Sequence, residues 1–386
     1  MKSEFEFNSP VKIVSGAGEC RNIGKWVKSF GAKKVLIISG RSVSKSEYFK
    51  SMTEKMKDEN TEFDIFTDTV PEPPMEIVDE LADMVREKDY DLVIAVGGGS
   101  PMDTAKAVCM LKNNEGKIKD YLFGGDKTPK NPSVSLICIP TTAGSGSEVS
   151  CASVIEDTTA NIKLSCTHPN LYPKLAILDP LIQLDMPKSV TAGTGMDAMT
   201  HAIESYTSKN ASIMSAMYSR RAIELIAEHL PIVINDPNNI DSRMHMAIAS
   251  TMAAVAFANG GLGAVHGISQ ATGGIAHTPH GITNAILLPK VMKYNCMGNT
   301  EKFADIAKIL GADTDNMTTK EAAEEAAVLI AKMNAEIGIP DKLSSLGVTE
   351  DMFDEIVEGT LGYRLLWMNP IEVKDELVYK ILEESL

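Results

Sequence analysis

The sequence lacks the features that mark membrane, secreted and disulfide-rich proteins. No uninterrupted apolar run approaches the roughly 18 residues of a membrane-spanning helix. The opening MKSEFEFNSP has no basic and then apolar signal pattern. The six cysteines are scattered, without a CxxC pair or another disulfide or metal spacing. We therefore expect no membrane partner, a cytoplasmic location, and reduced cysteines with a structural role.

Positive charge is also scarce. The chain has 37 Lys and Arg against 52 Asp and Glu, which gives a formal net charge of -15 at pH 7. Nucleic acids and anionic membrane surfaces repel such a chain, so neither is expected as the main partner. A local basic pocket for a phosphate remains compatible with this charge, and a small molecule is the expected ligand.

What the first half does contain is the alternation typical of an α/β domain. Short β-rich runs alternate with amphipathic stretches, which predicts a parallel sheet flanked by helices on both faces. The predicted strands are Val35–Ser39, Phe63–Phe66, Leu92–Val96, Val134–Ile139 and Ala176–Leu178, and the predicted helices are Ser44–Lys57, Pro74–Lys88 and Pro101–Leu111.

The second half has a different character. From about Pro187 convincing strands disappear, and helical periodicity dominates runs such as Met217–Leu230 and Thr319–Ile337. The length of 386 residues exceeds one typical core, and the turn signals of LDPLIQLDMP mark a boundary. We therefore expect an α/β dinucleotide-binding domain at residues 1–185 and an all-helical metal-binding domain at residues 186–386.

A glycine-rich turn follows the predicted strand Leu92–Val96. Its glycines allow the backbone to approach an anion closely, and Pro101 suits the first turn of the next helix. That helix directs N–H groups and a partial positive charge at a bound pyrophosphate. The motif is not GxGxxG, and a plain strand-to-helix turn is the alternative. The candidate cofactor residues are Gly97, Gly98, Gly99, Ser100 and Asp103.

A second loop of small, hydroxyl-bearing residues follows the predicted strand Val134–Ile139. Its sequence, PTTAGSGSE, can donate hydrogen bonds to phosphate or ribose oxygens without steric bulk. Open α/β sheets bind ligands at the carboxyl ends of their strands, so two such loops in one sheet favour a dinucleotide site. The candidate residues here are Thr141, Thr142, Ser145 and Ser147.

The end of the first predicted strand bears on the choice of dinucleotide. NAD-binding folds often place an acid after an early strand, where it bonds the ribose 2′-hydroxyl. Here Gly40 and Arg41 follow Val35–Ser39, so no carboxylate repels a 2′-phosphate and Arg41 can pair with one. This favours NADP over NAD, and the alternative is that Arg41 is a solvated loop cation.

One carboxylate and three histidines of the second half form a candidate metal site. Asp197 and His201 are four residues apart in a helical stretch, which puts both side chains on one helix face. His266 and His280 each lie among small residues. A carboxylate with three neutral imidazoles suits a divalent transition metal. The alternative for Asp197 and His201 is a helix-face hydrogen bond.

Taken together and in order, these motifs resemble the iron-containing (group III) alcohol dehydrogenase family. The match runs through GGGSPMDTAK, IPTTAGSGSEVS, GMDAMTHAIESY, GLGAVHG and TPHGITNAILLP. The resemblance implies a divalent metal, with Fe²⁺ favoured over Zn²⁺, held by Asp197, His201, His266 and His280. It also implies that Lys163 reaches the cofactor ribose, and it places Gly40 where NAD-preferring members have Asp. Relatives are commonly homodimers or larger homo-oligomers.

One departure from the family pattern concerns proton transfer. The family usually has a second histidine four residues after the first one that follows GLG, near the reacting centre, and here that position is Gln270. Glutamine can hydrogen-bond a substrate oxygen but does not titrate near neutral pH. His277 stands three residues before His280, where relatives have Asn. We hypothesise that His277 supplies the missing proton-transfer or substrate-binding capacity, with a structural role as the alternative, and that this pocket favours a polar or anionic aldehyde.

The sequence therefore predicts a metal-dependent oxidoreductase that transfers a hydride between NAD(P)H and a small aldehyde or alcohol, in the direction of aldehyde reduction. One alternative is a lyase like dehydroquinate synthase, in which the nicotinamide is oxidised and re-reduced within one turnover. Another is polyol oxidation as in glycerol dehydrogenase. A nucleotide-binding or assembly protein without chemistry is disfavoured, because a decayed site would not need all four metal-binding residues.

Overall fold

The computed structural model of the protein describes Lys2 and residues 4–58, 61–159 and 162–386. The chain divides into two compact units. The α/β unit is Ser9–Met186, and the helical unit is Pro187–Leu386 together with the described residues up to Asn8. The division falls after Met186, next to the turn-rich segment that the sequence indicated.

The first residues of the chain belong to the helical unit, which the sequence did not indicate. The Lys2 amide donates to the Ala211 carbonyl at 3.1 Å, and the Asn8 amide donates to Asn259 Oδ1 at 2.7 Å. Asn259 Nδ2 donates back to the Asn8 carbonyl at 3.0 Å. Because Asn259 lies 251 positions away from Asn8, no local pattern announces this contact.

The α/β unit is built on a six-stranded parallel sheet, as predicted. The described part of this unit has eight strands, six in this sheet and two in a separate pair: β1 (Lys12–Ser15), β2 (Lys34–Gly40), β3 (Glu62–Thr69), β4 (Leu92–Gly97), β5 (Ser135–Pro140), β6 (Ala152–Asp157), β7 (Ile162–Thr167) and β8 (Leu175–Leu178). The sheet order is β1-β8-β5-β4-β2-β3, and β6 and β7 form a separate antiparallel pair. The five predicted strands are confirmed as β2, β3, β4, β5 and β8, whereas β1, β6 and β7 were missed.

Helices cover both faces of this sheet. They are α1 (Ile23–Ser29), α2 (Glu47–Asp58), α3 (Met75–Lys88) and α4 (Gly99–Asn113). Along β2, Val35 and Ile37 belong to one apolar core, and Leu36 and Ile38 belong to the other. Because successive side chains of a strand point to opposite faces, a strand buried on both sides is a continuous apolar run. Strands β2 and β4 could therefore be predicted from the sequence.

The helical unit contains nine α-helices and no strand among its described residues, which confirms the predicted change of character. The helices are α5 (Lys188–Thr207), α6 (Ile213–Asn235), α7 (Ile240–Gly260), α8 (Ala264–Ala276), α9 (His280–Asn295), α10 (Thr300–Ile309), α11 (Thr319–Ile337), α12 (Phe353–Leu361) and α13 (Asp375–Ser385). Helix α11 shows its limits in the sequence, because Thr318 and Glu321 form a capping box and Gly338 ends the helix in a left-handed conformation.

All six cysteines are free thiols, and burial raises the pKa of the Cys109 thiol.

Within the described residues, no single helix has both the length and the apolar character to cross a membrane. Helices α7 and α8 meet that test only as a pair bent by 102°.

Candidate metal centre and cofactor loops

Helix α5 carries the first two predicted metal ligands. Asp197 and His201 stand one helical turn apart and are both buried, with 3.9 Å between Asp197 Oδ1 and His201 Nε2. Their spacing of four residues aligns the two side chains along one face of the helix. The predicted alternative, a hydrogen bond along the helix face, is not formed at this distance.

Helices α8 and α9 bring the other two predicted ligands to the same point. His266 lies in the first turn of α8, and His280 is the first residue of α9. Asp197 Oδ1 lies 3.8 Å from His266 Nε2 and 3.6 Å from His280 Nε2. The sequence therefore identified four side chains that three helices bring together.

The spacing of three of these four residues fits a single cation. Ligand atoms that bind a metal at about 2.1 Å in a tetrahedron are about 3.4 Å apart. The donor atoms of Asp197, His201 and His266 all lie within 4.8 Å of one another. His280 Nε2 lies 3.6 Å from Asp197 Oδ1, but Asn284 Nδ2 lies 3.1 Å from His280 Nε2 and 3.3 Å from His266 Nε2, so His280 and Asn284 would have to shift for all four residues to bind one cation. A hard carboxylate oxygen with three imidazole nitrogens also matches the ligand types that divalent iron and zinc accept.

The Asp197 carboxyl is set up to be ionised. Burial by itself would raise the pKa of this carboxyl, but the imidazoles of His201, His280 and His266 outweigh burial and hold the pKa below its ordinary value. The Asn284 side chain contributes in the same direction, since its Nδ2 donates to Asp197 Oδ1 at 2.8 Å. A charged oxygen is therefore available to a cation at neutral pH.

The sequence interpretation missed Glu204, which is buried beside the predicted ligands. Glu204 Oε2 lies 2.6 Å from His266 Nδ1, and Glu204 Oε1 accepts a hydrogen bond from the Val265 amide at 2.7 Å. A usable signal was present, because Glu204 follows Asp197 by seven residues and His201 by three, and these spacings keep all three on one face of α5.

The two predicted cofactor loops meet at the carboxyl ends of β4 and β5. Gly97 pairs with Pro140 in the sheet register, and the Thr141 amide donates to the Gly97 carbonyl at 2.9 Å. A Cβ atom at Gly98 would lie 3.3 Å from Thr142 Oγ1, which is a tight contact. The absence of a side chain at Gly98 therefore allows the two loops to lie this close together. Helix α4 begins at Gly99, with Ser100 in its first turn.

Gly99 and the second loop are equally close. A Cβ atom at Gly99 would lie 3.3 Å from Ser145 Oγ. The start of a 15-residue helix and a loop of hydroxyl groups therefore share one edge of the sheet. This arrangement offers free backbone N–H groups and small donors to an anion, as a pyrophosphate requires.

Three other predicted cofactor residues contact side chains of the protein. Asp103 and Ser147 hydrogen-bond each other, with Ser147 Oγ donating to Asp103 Oδ1 at 2.6 Å, and the buried Lys106 donates to the same Ser147 hydroxyl. Lys163 Nζ lies 2.5 Å from Glu72 Oε1. Asp103, Ser147 and Lys163 are thus hydrogen-bonded or ion-paired within the protein, and their predicted contact with the cofactor stays a prediction.

Arg41 and Gly40 lie at the end of β2. The Arg41 side chain is 73% exposed, and its Nε lies 2.7 Å from Asp68 Oδ1. Gly40 has space around it, because a Cβ atom there would meet nothing closer than Thr69 Oγ1 at 3.7 Å. A side chain at position 40 is therefore sterically acceptable.

Gln270 and His277 are not joined to the metal-ligand cluster. Both side chains are exposed, and in the described part of the chain no hydrogen bond links either one to the four predicted ligands. His277 ends α8 with a left-handed backbone at φ 51°. Asparagine, which the family resemblance implies at this position in relatives, adopts a left-handed backbone more readily than most residues. A residue that ends helix α8 is therefore a sufficient role for position 277, which supports the structural alternative for His277. The proton-transfer hypothesis stays a prediction.

Comparison with known proteins identifies the family of this chain. The family model for iron-containing alcohol dehydrogenases matches residues 10–180, and the model for the C-terminal part of the same family matches residues 191–386. The NAD-dependent methanol dehydrogenase of Bacillus methanolicus is 34% identical over 98% of this chain and 99% of its own length. The 1,3-propanediol dehydrogenase of Citrobacter freundii is 34% identical over 99% of this chain and 98% of its own length.

A solved structure of a 1,3-propanediol oxidoreductase superimposes with a TM-score of 0.95 at 33% identity, covering 99% of this chain and all of that one. The motifs, the fold and the relatives agree along the whole length of the chain. The chain belongs to the iron-containing alcohol dehydrogenase family, whose members are alcohol and aldehyde oxidoreductases that use a divalent metal and a nicotinamide dinucleotide.

Proposed function

We propose that this protein reduces a small aldehyde to the alcohol, with NAD(P)H as the hydride donor and a divalent cation held by Asp197, His201, His266 and His280. One observation carries the proposal: three imidazole Nε2 atoms lie 3.6 to 3.9 Å from the same Asp197 oxygen. A nucleotide-binding protein without chemistry has no need of this donor set.

When bound, the cation supplies a Lewis acid for the substrate oxygen, and the dihydronicotinamide supplies the hydride. The protein contributes position and charge. Asp197, His201 and His266 are buried, so their donor atoms would hold a cation with little competition from bulk water. The glycine and hydroxyl loops of the α/β unit provide the anion-binding N–H and O–H groups for the dinucleotide. Iron is the proposed metal, in keeping with the family, and zinc suits the same ligands.

A substrate and metal panel tests this function. The protein is loaded separately with Fe²⁺ or Zn²⁺ and offered alkyl, hydroxyl-bearing and anionic aldehydes with NADPH or NADH. We expect a loss of absorbance at about 340 nm that depends on the aldehyde and disappears after chelation. Conversion of a substrate with no net absorbance change would instead identify a recycled cofactor and the lyase alternative.

We further propose that the cofactor is NADP rather than NAD. The support is Gly40, so β2 itself ends without a carboxylate, and the adjacent exposed guanidinium of Arg41, which is already ion-paired with Asp68 of the neighbouring strand β3. Arg41 Nε donates a hydrogen bond to Asp68 Oδ1 at 2.7 Å, so a 2′-phosphate would share Arg41 with this carboxylate. The Bacillus methanolicus relative is NAD-dependent by name, so the preference of this protein for NADP or NAD has to be measured directly.

The variant Gly40→Asp is expected to lower kcat/KM for NADPH by at least about tenfold relative to NADH. The introduced carboxylate would face the 2′-phosphate, and like charges at close range cost several kcal/mol. Space for the side chain is present at this position. The control is Gly40→Asn, which has the same size without the charge and should retain most NADPH activity. A wild-type preference for NADH, or an unchanged NADPH-to-NADH ratio in Gly40→Asp, would refute the proposal.

A cytoplasmic location and a homodimer or larger assembly remain predictions from the sequence.

A further inference from the structure

The carboxylate of Glu204 lies between two groups that both donate hydrogen bonds. One oxygen accepts from the Val265 amide at 2.7 Å, and the other contacts His266 Nδ1 at 2.6 Å. The Glu204 side chain is only 4% exposed, and that of His266 only 2%. A carboxylate is an acceptor only, so the short contact requires the proton of His266 to lie on Nδ1. Nε2 then carries the lone pair; it lies 3.3 Å from Asn284 Nδ2 and 3.8 Å from Asp197 Oδ1.

The start of helix α8 lacks a capping side chain of its own. Its N-cap residue is Gly263, which has no side chain to satisfy the first N–H groups. Remote side chains take over: Asn369 Oδ1 accepts from the Ala264 amide at 3.1 Å, and Glu204 accepts from the Val265 amide. Glu204 and Asn369 therefore satisfy N–H groups at the start of α8 that Gly263 cannot.

Gly263 also keeps the space that Glu204 occupies. A Cβ atom at Gly263 would lie 3.2 Å from Glu204 Oε1 and 2.7 Å from Asn369 Oδ1. Both capping groups can approach the helix end only because residue 263 has no side chain. The glycine of the GLGAVH motif therefore serves the orientation of the histidine three residues later.

We propose that Glu204 is a positioning residue of the metal site, which fixes His266 in the Nδ1–H tautomer and thereby presents Nε2 to the cation. The inference rests on the metal site of the proposed function. Carboxylates that hold a ligating histidine in this way orient the ring and make its other nitrogen a better electron-pair donor. Glu204 itself does not touch the cation or the substrate.

The variant Glu204→Gln tests the proposal, because it reverses one hydrogen bond while keeping the size of the side chain. If the amide oxygen stays on the Val265 amide, the amide nitrogen donates to His266 Nδ1, and the imidazole proton must move to Nε2. A protonated Nε2 cannot bind a metal. We expect the affinity for Zn²⁺, measured by competition with a chromogenic chelator, to fall by about 10- to 100-fold. NADPH binding, measured by direct titration, should stay within about twofold of wild type, since the cofactor loops lie in the other unit.

The matched control is Glu228→Gln, the same substitution at a side chain on α6 that is 67% exposed. Its Zn²⁺ affinity should equal that of wild type. If Glu204→Gln does not fold, Glu204→Asp decides by the same measurement, since its shorter side chain cannot reach both donors and should weaken Zn²⁺ binding. Wild-type affinity in the folded Glu204 variant, even with a lower Tm, would overturn the positioning role. Failure of the wild-type protein to bind Zn²⁺ or Fe²⁺ would instead count against the proposed function.

Discussion

Replacing Asp197 by Asn is expected to remove the bound metal and to lower kcat/KM for aldehyde reduction by about 10³-fold. Asp197 is the one carboxylate among the four predicted ligands, and its Oδ1 is within 4 Å of all three imidazole Nε2 atoms. An amide oxygen carries no negative charge and binds a divalent transition metal weakly. A Lewis acid supplies several kcal/mol of transition-state stabilisation, and each 1.36 kcal/mol is about a factor of ten in rate.

The fold should survive this change. The side chain keeps its shape, and the new amide oxygen can still accept the hydrogen bond from Asn284 Nδ2. Metal content by elemental analysis and steady-state kinetics are the two measurements. The control is Asp241→Asn, the same substitution in the first turn of α7, where the side chain is 83% exposed and lies outside the site. Full metal content and activity in Asp197→Asn would remove Asp197 from the ligand set.

Adding one methyl group at Gly281 is expected to have the second largest effect. Gly281 follows His280 in α9, and its ideal Cβ position lies 2.4 Å from the backbone carbonyl oxygen of Gly193 in α5. Ordinary contact begins at 3.4 Å, so the two helices must separate by about 1 Å in a Gly281→Ala variant. Asp197 follows Gly193 by one turn, and the separation therefore pulls Asp197 Oδ1 away from His280 Nε2, which is now 3.6 Å distant.

Metal sites tolerate displacements of only about 0.2 Å in ligand distance. We expect Gly281→Ala to weaken metal binding and to lower kcat/KM by about 100-fold, with a loss of about 1 to 3 kcal/mol in the free energy of unfolding from overpacking. Metal titration, kinetics and denaturant unfolding measure the three quantities. Gly362→Ala is the control, because its nearest neighbours would lie at an ordinary 3.6 Å. Wild-type metal affinity in Gly281→Ala would mean that the helix contact does not set the ligand geometry.

The parts of the fold that the sequence revealed are those with a strong local pattern. Strands β2 and β4 are buried on both faces and are therefore continuous apolar runs. Strand β1 was missed because it is a four-residue edge strand with mostly exposed side chains. The β6–β7 pair was missed because both strands mix polar and apolar residues without a clear apolar run, and most side chains of β7 are only half-buried or exposed.

The site shows the same division. Asp197 and His201 could be paired from their spacing, because one helical turn fixes the distance between them. No spacing relates residues on different helices, so His266 and His280 were joined to that pair because they lie among small residues in the same half of the chain, and the family resemblance implied the same set. Glu204 lay within reach of the helical pattern but was missed, because its partner His266 is 62 positions away.

The sequence by itself determined which side chains can hold a cation, which glycines and hydroxyls can surround a phosphate, and that an α/β half precedes a helical half. Each of these follows from residue chemistry or from contacts within a few positions along the chain. Only the tertiary structure decided that three helices converge on Asp197 Oδ1, that Glu204 orients His266, and that α5 touches α9 backbone to backbone at Gly281. These contacts depend on how helices pack, and packing is set by the shapes of many side chains at once.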